Sequence, residues 1–455
     1  MKLSIVILAA GQGTRMRSAL PKVLHLLGGR PLLAHVIDTA RALEPDSVHV
    51  VYGYGGDQVR QALADAQVEW VEQSDQLGTG HALDQAMPML KDNSVVLVLY
   101  GDVPLITAAT LAPMLDQARA GRLSVLTAKL DDPSGYGRII RSANGKLVDI
   151  VEQKDAGSEQ LRIREINSGF LAAPAGLLRG WLQKLDNRNA QREYYLTDIV
   201  GMAVDDEVTV QSVTATDADE ILGVNDRVQL AHLERVYQRR LAEKLMRSGV
   251  SLADPARFDQ RGELESGNDS FIDVNVVFEG RVRLGARVSI GPNCVIRNAV
   301  IGDDVQVLAS TVIDEARIGN ACRIGPFARI RPETELDEHV HVGNFVEVKK
   351  SRVARGSKIN HLSYIGDTHM GSGVNVGAGT ITCNYDGANK HLTEIGDNVF
   401  IGSDTQLVAP VKVGDGATIG AGTTITRDVP PERLTLSRCP QKTYEGWSRP
   451  VKKKP

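Results

Sequence analysis

The hydrophobic rhythm of the chain changes twice. Leu3 to Ala10 is a short apolar run, and further strand-like runs follow at Val48 to Tyr52, Val95 to Tyr100, Ser124 to Leu130 and Gly169 to Ala173, with helical stretches such as Leu32 to Leu43 between them. Apolar strands alternating with helices predict a mostly parallel, doubly wound α/β sheet, whose ligands gather beyond the carboxyl ends of the strands. From Arg227 to Arg247, apolar residues at Val228, Ala231, Leu233, Val236, Leu241 and Leu245 are spread among many charges, the pattern of an amphipathic linking helix. Beyond about Ser251 the period shortens: Leu284-Gly285 and Ile290-Gly291, Ile318-Gly319 and Ile324-Gly325, Ile395-Gly396 and Ile401-Gly402, Val413-Gly414 and Ile419-Gly420 each recur after six residues. Such hexads predict a parallel β-helix, in which the aliphatic residue fills a narrow core, the small residue permits the corner and no rung is stable alone. The predicted domains are residues 1–227, a helical linker 228–248 and a β-helix 249–455.

Composition narrows the partners. At 455 residues the chain exceeds one core of ordinary size. A net charge of -4 and a pI near 6.2 leave no excess of positive charge for a phosphate backbone, so nucleic acid is not an expected partner. The tail Val451 to Lys454 reads as a solvated end. With no bilayer-length apolar stretch, and with the first strand starting at once rather than after a signal-peptide layout, the expected location is the cytoplasm, without membrane insertion. Cys294, Cys322, Cys383 and Cys439 are widely spaced, which argues against a disulfide framework or a structural zinc site.

The first candidate chemistry follows the opening strand. Gly11-Gln12-Gly13-Thr14-Arg15-Met16, then Pro21-Lys22, reads as a glycine loop and a helix start that would aim backbone N–H groups and a helix dipole at a phosphate. The loop lacks both the third glycine of a dinucleotide fingerprint and the Gly-Lys-Ser/Thr ending of a P-loop. It adds Arg15 and Lys22, cations suited to a triphosphate and its leaving pyrophosphate, against the plainer reading of a turn with two solvated cations. Asp102 ends an apolar strand, where it would either hold Mg²⁺ on a nucleotide phosphate or cap the next turn. In the β-helix, Arg331, Lys349-Lys350 and His361-Leu362-Ser363-Tyr364 are groups the scaffold does not need, and eighteen-residue spacings (331 to 349, 343 to 361) suggest that successive coils stack them at one edge. An imidazole there would take the proton from an amine adding to a thioester, whereas His341 and His391 read as ordinary surface histidines. The polar segment Cys383 to His391 interrupts the hexads.

Leu8 to Met16 with Pro21-Lys22, Gln73 with Leu77-Gly78-Thr79-Gly80, and Tyr100-Gly101-Asp102 resemble a sugar-1-phosphate nucleotidyltransferase. Together with the hexads, the whole chain is similar to the bacterial family of bifunctional N-acetylglucosamine-1-phosphate uridylyltransferases and glucosamine-1-phosphate acetyltransferases. The resemblance implies a Rossmann-like nucleotidyltransferase domain and a left-handed parallel β-helix. It implies that Leu8, Ala9, Ala10, Gly11, Gln73, Gly78, Thr79, Tyr100 and Gly101 hold the uridine nucleotide, that Arg15 and Lys22 act on its phosphates, and that Asp102 and Asn225 bind Mg²⁺. Gly137, Glu152 and Asn167 would hold the sugar. At the second site it implies His361 as base, with Arg331, Lys349, Tyr364 and Asn375 on the amino sugar phosphate. Ala378, Asn384, Tyr385, Ser403, Ala421 and Arg438 would line a groove for acetyl-CoA as co-substrate. Related acyltransferases are trimers with sites between chains, so a homotrimer is expected, with UTP, glucosamine 1-phosphate and N-acetylglucosamine 1-phosphate as the other small-molecule partners. Two alternatives stay open: a single-activity nucleotidyltransferase with a structural or regulatory β-helix, and a sugar-nucleotide-binding scaffold without turnover.

Overall fold

The structure, a computed structural model, describes residues 1–452; Lys453 and Lys454 of the basic tail lie outside the described residues. The chain forms two compact units, residues 1–238 and 239 onward, and the divide falls inside the helix Arg227–Arg247. Among the described residues no helix is long and apolar enough to cross a membrane.

In the first unit seven strands build the main sheet: β1 (Lys2–Leu8), β2 (Ser47–Tyr52), β3 (Glu69–Glu72), β4 (Ser94–Tyr100), β5 (Leu123–Lys129), β6 (Glu165–Pro174) and β7 (Val210–Thr214). Their order is β7-β5-β6-β4-β1-β2-β3. All neighbours run parallel except β6, which is antiparallel to both β4 and β5. The apolar runs are continuous because both faces of the sheet are covered: Ile5, Ile7, Leu97 and Leu99 face one core while Val6, Leu8, Val96 and Val98 face another. A hairpin of Arg138–Arg141 and Leu147–Val151 pairs on to β6.

The second unit is a parallel β-helix. One inward column runs Ile290, Val307, Ile324, Val342, Ile359, Val376, Ile401 and Ile419 from coil to coil, every member almost wholly buried. The glycine that follows such a residue clears the next coil as well as turning the corner. A Cβ on Gly377 would lie 2.5 Å from the backbone nitrogen of Ser403, and one on Gly402 would lie 2.4 Å from that of Ala421. At the first coil the core also takes in Ala242 and Leu245, from the end of the long helix, beside Val250 and Phe258.

Candidate functional site

The parallel register of β1 with β4 sets Leu8 opposite Tyr100, so that the loop after β1 and the segment Gly101–Asp102 emerge side by side; Gly101 N donates to Leu8 O at 2.9 Å. The helix expected after the glycine loop is absent. Thr14–Met16 and Lys22–Leu24 are single 3-10 turns, and the first α-helix, α1, spans Leu32–Arg41. Positive potential at the loop therefore comes from side chains and loop N–H groups, with no helix dipole behind it. Gly13 has φ +62, and a Cβ there would sit 2.6 Å from that of Lys22, so glycine lets the lysine lie against the loop.

The two cations and the two expected metal ligands converge. Lys22 Nζ donates to Asp102 Oδ2 and, at 3.4 Å, to Asn225 Oδ1, which also accepts from Arg15 at 2.8 Å. Val224 N donates to Asp102 O at 2.9 Å and Asn225 N to Gln229 Oε1 at 2.7 Å, which fixes the Asn225 backbone in front of the strand ends. One carboxylate and one amide oxygen aimed at a single ammonium are hard donors that also suit Mg²⁺, the other positions being left to phosphate oxygens and water. Among the described residues no group of three or more His, Cys, Asp or Glu is arranged around a metal position, so such an ion would be held largely by its nucleotide.

Beside this cluster opens a cavity of about 530 Å³, lined by Leu8 to Gly11, Lys22, Gln73, Gly78, Thr79, Tyr100 and Asp102, and also by Gln12, Gln76 and Glu193. Gln73 is buried and donates to Gly78 O at 3.2 Å, which shapes the wall. Gly78 (φ +115) has room only as glycine, since a Cβ would lie 2.6 Å from Tyr194 O, and Thr79 Oγ1 accepts from Leu196 N at 3.1 Å. Gly137, Glu152 and Asn167 meet: Asn167 N donates to Gly137 O at 2.9 Å, and Glu152 accepts from Thr197 at 3.2 Å. Burial raises the Glu152 carboxyl above its ordinary range, with Asp155 and Glu193 adding to it. Tyr100 is pushed well up by burial and by the charges of Glu152 and Asp102, and its hydroxyl meets Thr79. Sequence reading missed Gln12, Gln76, Glu193 and Thr197. Gln12, between two glycines, carried a signal, whereas the segment around 193–197 has no motif.

On the β-helix the candidates fall on two edges instead of one. Arg331 follows Arg329–Ile330, which pair with Glu347–Val348, so Arg331 stacks on Lys349, and Lys349 in turn pairs with Gly366. Arg331 forms an ion pair with Glu347 at 2.6 Å. His361 stands at the other edge, before the strand Tyr364–Gly366, with Asn344 and not Gly343 as its partner in the previous coil. Asn344 Oδ1 lies 3.0 Å from His361 Nδ1; a proton on Nδ1 satisfies that contact and leaves the Nε2 lone pair for an incoming proton. Ala378, Ser403 and Ala421 continue the same edge, because Asp404 N donates to Ala378 O at 2.7 Å and Gly422 N to Ser403 O at 2.8 Å; Arg438 closes on Gly420 and Gly422. Asn375 is on the strand Asn375–Val376, just before that edge. Asn384, also expected along the groove, is buried, and its amide donates to Asp367 at 2.5 Å. Tyr385, which follows it, is exposed. Lys390, missed in the sequence, is the main influence that lowers the pKa of the Lys349 ammonium.

Family models match in three places: a MobA-like NTP transferase domain over residues 5–190, a GMPPB C-terminal domain over 262–360, and a bacterial transferase hexapeptide (six repeats) over 392–427. The protein named bifunctional protein GlmU from Alkalilimnicola ehrlichii is 59% identical over 448 residues, covering 98% of this chain and 96% of that one. Its namesake from Azoarcus sp. is 58% identical over 452 residues, 99% and 100% of the two chains. Among solved structures, a nucleotidyl transferase from Methanothermobacter thermautotroptrophicus is 20% identical and covers 52% of this chain and 99% of its own, with a TM-score of 0.38.

Proposed function

The chain belongs to the GlmU family of bifunctional proteins, and from that premise we propose how its residues divide two reactions. It is a bifunctional uridylyltransferase and acetyltransferase of UDP-N-acetylglucosamine synthesis. In the first unit the phosphate of N-acetylglucosamine 1-phosphate attacks the α-phosphorus of UTP; the new P–O bond forms as the bond to the β-phosphate breaks, and pyrophosphate leaves. Arg15 and Lys22 neutralise the charge that builds on the phosphate oxygens and the leaving group. Asp102 and Asn225 would hold Mg²⁺, which supplies electrostatic stabilisation of the same oxygens. Leu8 to Gly11, Gln73, Gly78 and Thr79 enclose the nucleotide, and Gly137, Glu152 and Asn167 hold the sugar. The convergence of Asp102, Asn225, Lys22 and Arg15 at the mouth of the cavity is the observation that carries this assignment.

In the second unit His361 Nε2 takes a proton from the amine of glucosamine 1-phosphate as its nitrogen adds to the acetyl-CoA thioester, and CoA leaves as the thiol. Asn344 supports the imidazole from Nδ1. Arg331 and Lys349 hold the phosphate, Tyr364 and Asn375 orient the sugar, and acetyl-CoA runs along Ala378, Ser403, Ala421 and Arg438, with Tyr385 beside it. We also infer a homotrimer. Phe327 and Phe345 are stacked at 5.4 Å, and both they and Leu362 are more than half exposed in left-handed conformations, an apolar strip beside His361 that a second copy would cover. UTP and acetyl-CoA as substrates support a cytoplasmic location. Thiol release from acetyl-CoA tests the second reaction: release dependent on glucosamine 1-phosphate and abolished in His361→Ala is expected. Release that survives the substitution removes His361 as base, and no release from the parent protein reduces the β-helix to an assembly module.

A further inference from the structure

In the first unit, Arg138 pairs with Val151 across the hairpin and with Ile166 of β6, the one point at which the hairpin joins the sheet in register. Gly137, Glu152 and Asn167 each lie one residue beyond that line, and a Cβ on Gly137 would be 3.4 Å from Glu152 Oε1. Neighbouring positions of a strand alternate between its faces, so the Arg138 side chain lies behind the row that would meet the sugar. Arg138 is 2% exposed, yet among the described residues it has no ion pair, and its Nε has no hydrogen-bond partner. A buried guanidinium without a carboxylate is costly, and folding alone gives no reason to keep one. Its two Nη groups donate to neutral oxygens instead, Nη1 to Tyr136 O and Nη2 to Gln153 Oε1 at 3.3 Å. The same Gln153 oxygen accepts from Gly135 N. These bonds all end on one segment, the turn from Pro133 to Tyr136, which is closed by Tyr136 N on Pro133 O at 3.3 Å and passes through Gly135 at φ +89. A Cβ on Gly135 would meet nothing within 4 Å, so packing does not hold that part of the turn. The turn leads straight into Gly137, whose O accepts from Asn167 N at 2.9 Å.

We propose that Arg138 and Gln153 are positioning residues of uridylyl transfer: they clasp the turn 133–136 from the face away from the sugar and so set Gly137 at the separation from Glu152 and Asn167 that admits N-acetylglucosamine 1-phosphate. Neither side chain touches the substrate. This rests on the assignment of the sugar to Gly137, Glu152 and Asn167. A purely structural clasp would lower the melting temperature of the first unit and leave the ratio of the two KM values where it was; a positioning clasp moves KM for the sugar phosphate alone.

The test is steady-state uridylyl transfer by the full-length protein, with UTP and N-acetylglucosamine 1-phosphate varied in turn. Gln153→Ala is expected to raise KM for N-acetylglucosamine 1-phosphate roughly tenfold, the loss of two hydrogen bonds of ordinary strength. KM for UTP, kcat at saturating sugar phosphate and thiol release by the second unit are expected to stay unchanged. Gln153→Glu, which keeps an oxygen for Gly135 and gives Arg138 a carboxylate, should hold KM at the parent value. Arg138→Lys, which keeps the charge but grips at one point instead of two, should reproduce the selective rise even if Gln153→Ala does not fold. An unchanged KM for the sugar phosphate in Gln153→Ala and in any folded Arg138→Lys, or an equal rise in both KM values, overturns the proposal. Glu152→Ala in the same assay separates the two levels: a raised KM there with none in the clasp variants sinks the clasp alone, whereas an unchanged KM in Glu152→Ala overturns the underlying assignment of the sugar as well.

Discussion

Lys22 occupies the point toward which Asp102 and Asn225 aim their oxygens, so the proposed uridylyl transfer requires it to turn from those two groups to the phosphates. Lys22→Ala is expected to lower kcat for pyrophosphate release by roughly 10²–10³-fold, as loss of a charge-stabilising group does, while changing stability by only about 1 kcal/mol. Asp198 makes a different prediction. Burial, then Asp149 and Asp186, push its carboxyl up to about 6, with Glu152 and Asp155 adding to the effect. Below the ordinary aspartate range both folded and unfolded chains hold this proton. As the pH rises from about 4 the unfolded chain releases it first, so stability falls until the folded carboxyl ionises near 6 and is level above that. Asp198→Asn should therefore raise the melting temperature of the first unit at pH 7 and leave it unchanged at pH 3.5, as thermal melts at the two pH values will show.

Among the elements, the Leu26–Leu27 and Arg30–Pro31 hairpin packs on the first half of the long helix through its turn. Gly28 N donates to Glu234 at 2.8 Å, and a Cβ on Gly28, at φ +55, would lie 2.2 Å from the Tyr237 ring. Gly28→Ala is expected to destabilise the first unit by about 2 kcal/mol, combining overpacking with a left-handed backbone, measured by urea titration. The helix itself was legible to both its ends, Arg227 and Arg247, yet Val228 and Ala231 of its expected stripe are exposed, and burial rests on Leu233, Ala242 and Leu245. The six-residue period announced the β-helix equally well but did not show which edge each candidate takes. His361 follows Lys349 by two thirds of a coil, so it lands on a different corner, whereas Arg331 and Lys349, a full coil apart, share one. The loop after β1 was recognisable by its glycines; that it leads into 3-10 turns depends on packing around Met16 and Val23, both buried, which no local pattern reports. Asn344 was invisible because its role arises from a contact across coils.

At the scale of the molecule, each unit has its own core, and the proposed function assigns one reaction to each. Calorimetry should therefore show ligand effects that separate: UTP with Mg²⁺ raising the transition of the first unit, acetyl-CoA that of the β-helix, each by about 2.7 kcal/mol at a hundredfold excess over Kd. A common shift with either ligand would contradict this. The division also tells an experimenter where to cut. Because Ala242 and Leu245 belong to the core of the first coil, a fragment beginning at residue 249 bares an apolar, unpaired end of the stack, and such ends join one another. A fragment beginning at residue 239 carries its own lid. Light scattering should find the longer piece at a constant mass and the shorter one growing with concentration, so ten residues at its start decide whether the isolated β-helix remains a discrete particle or becomes a fibre.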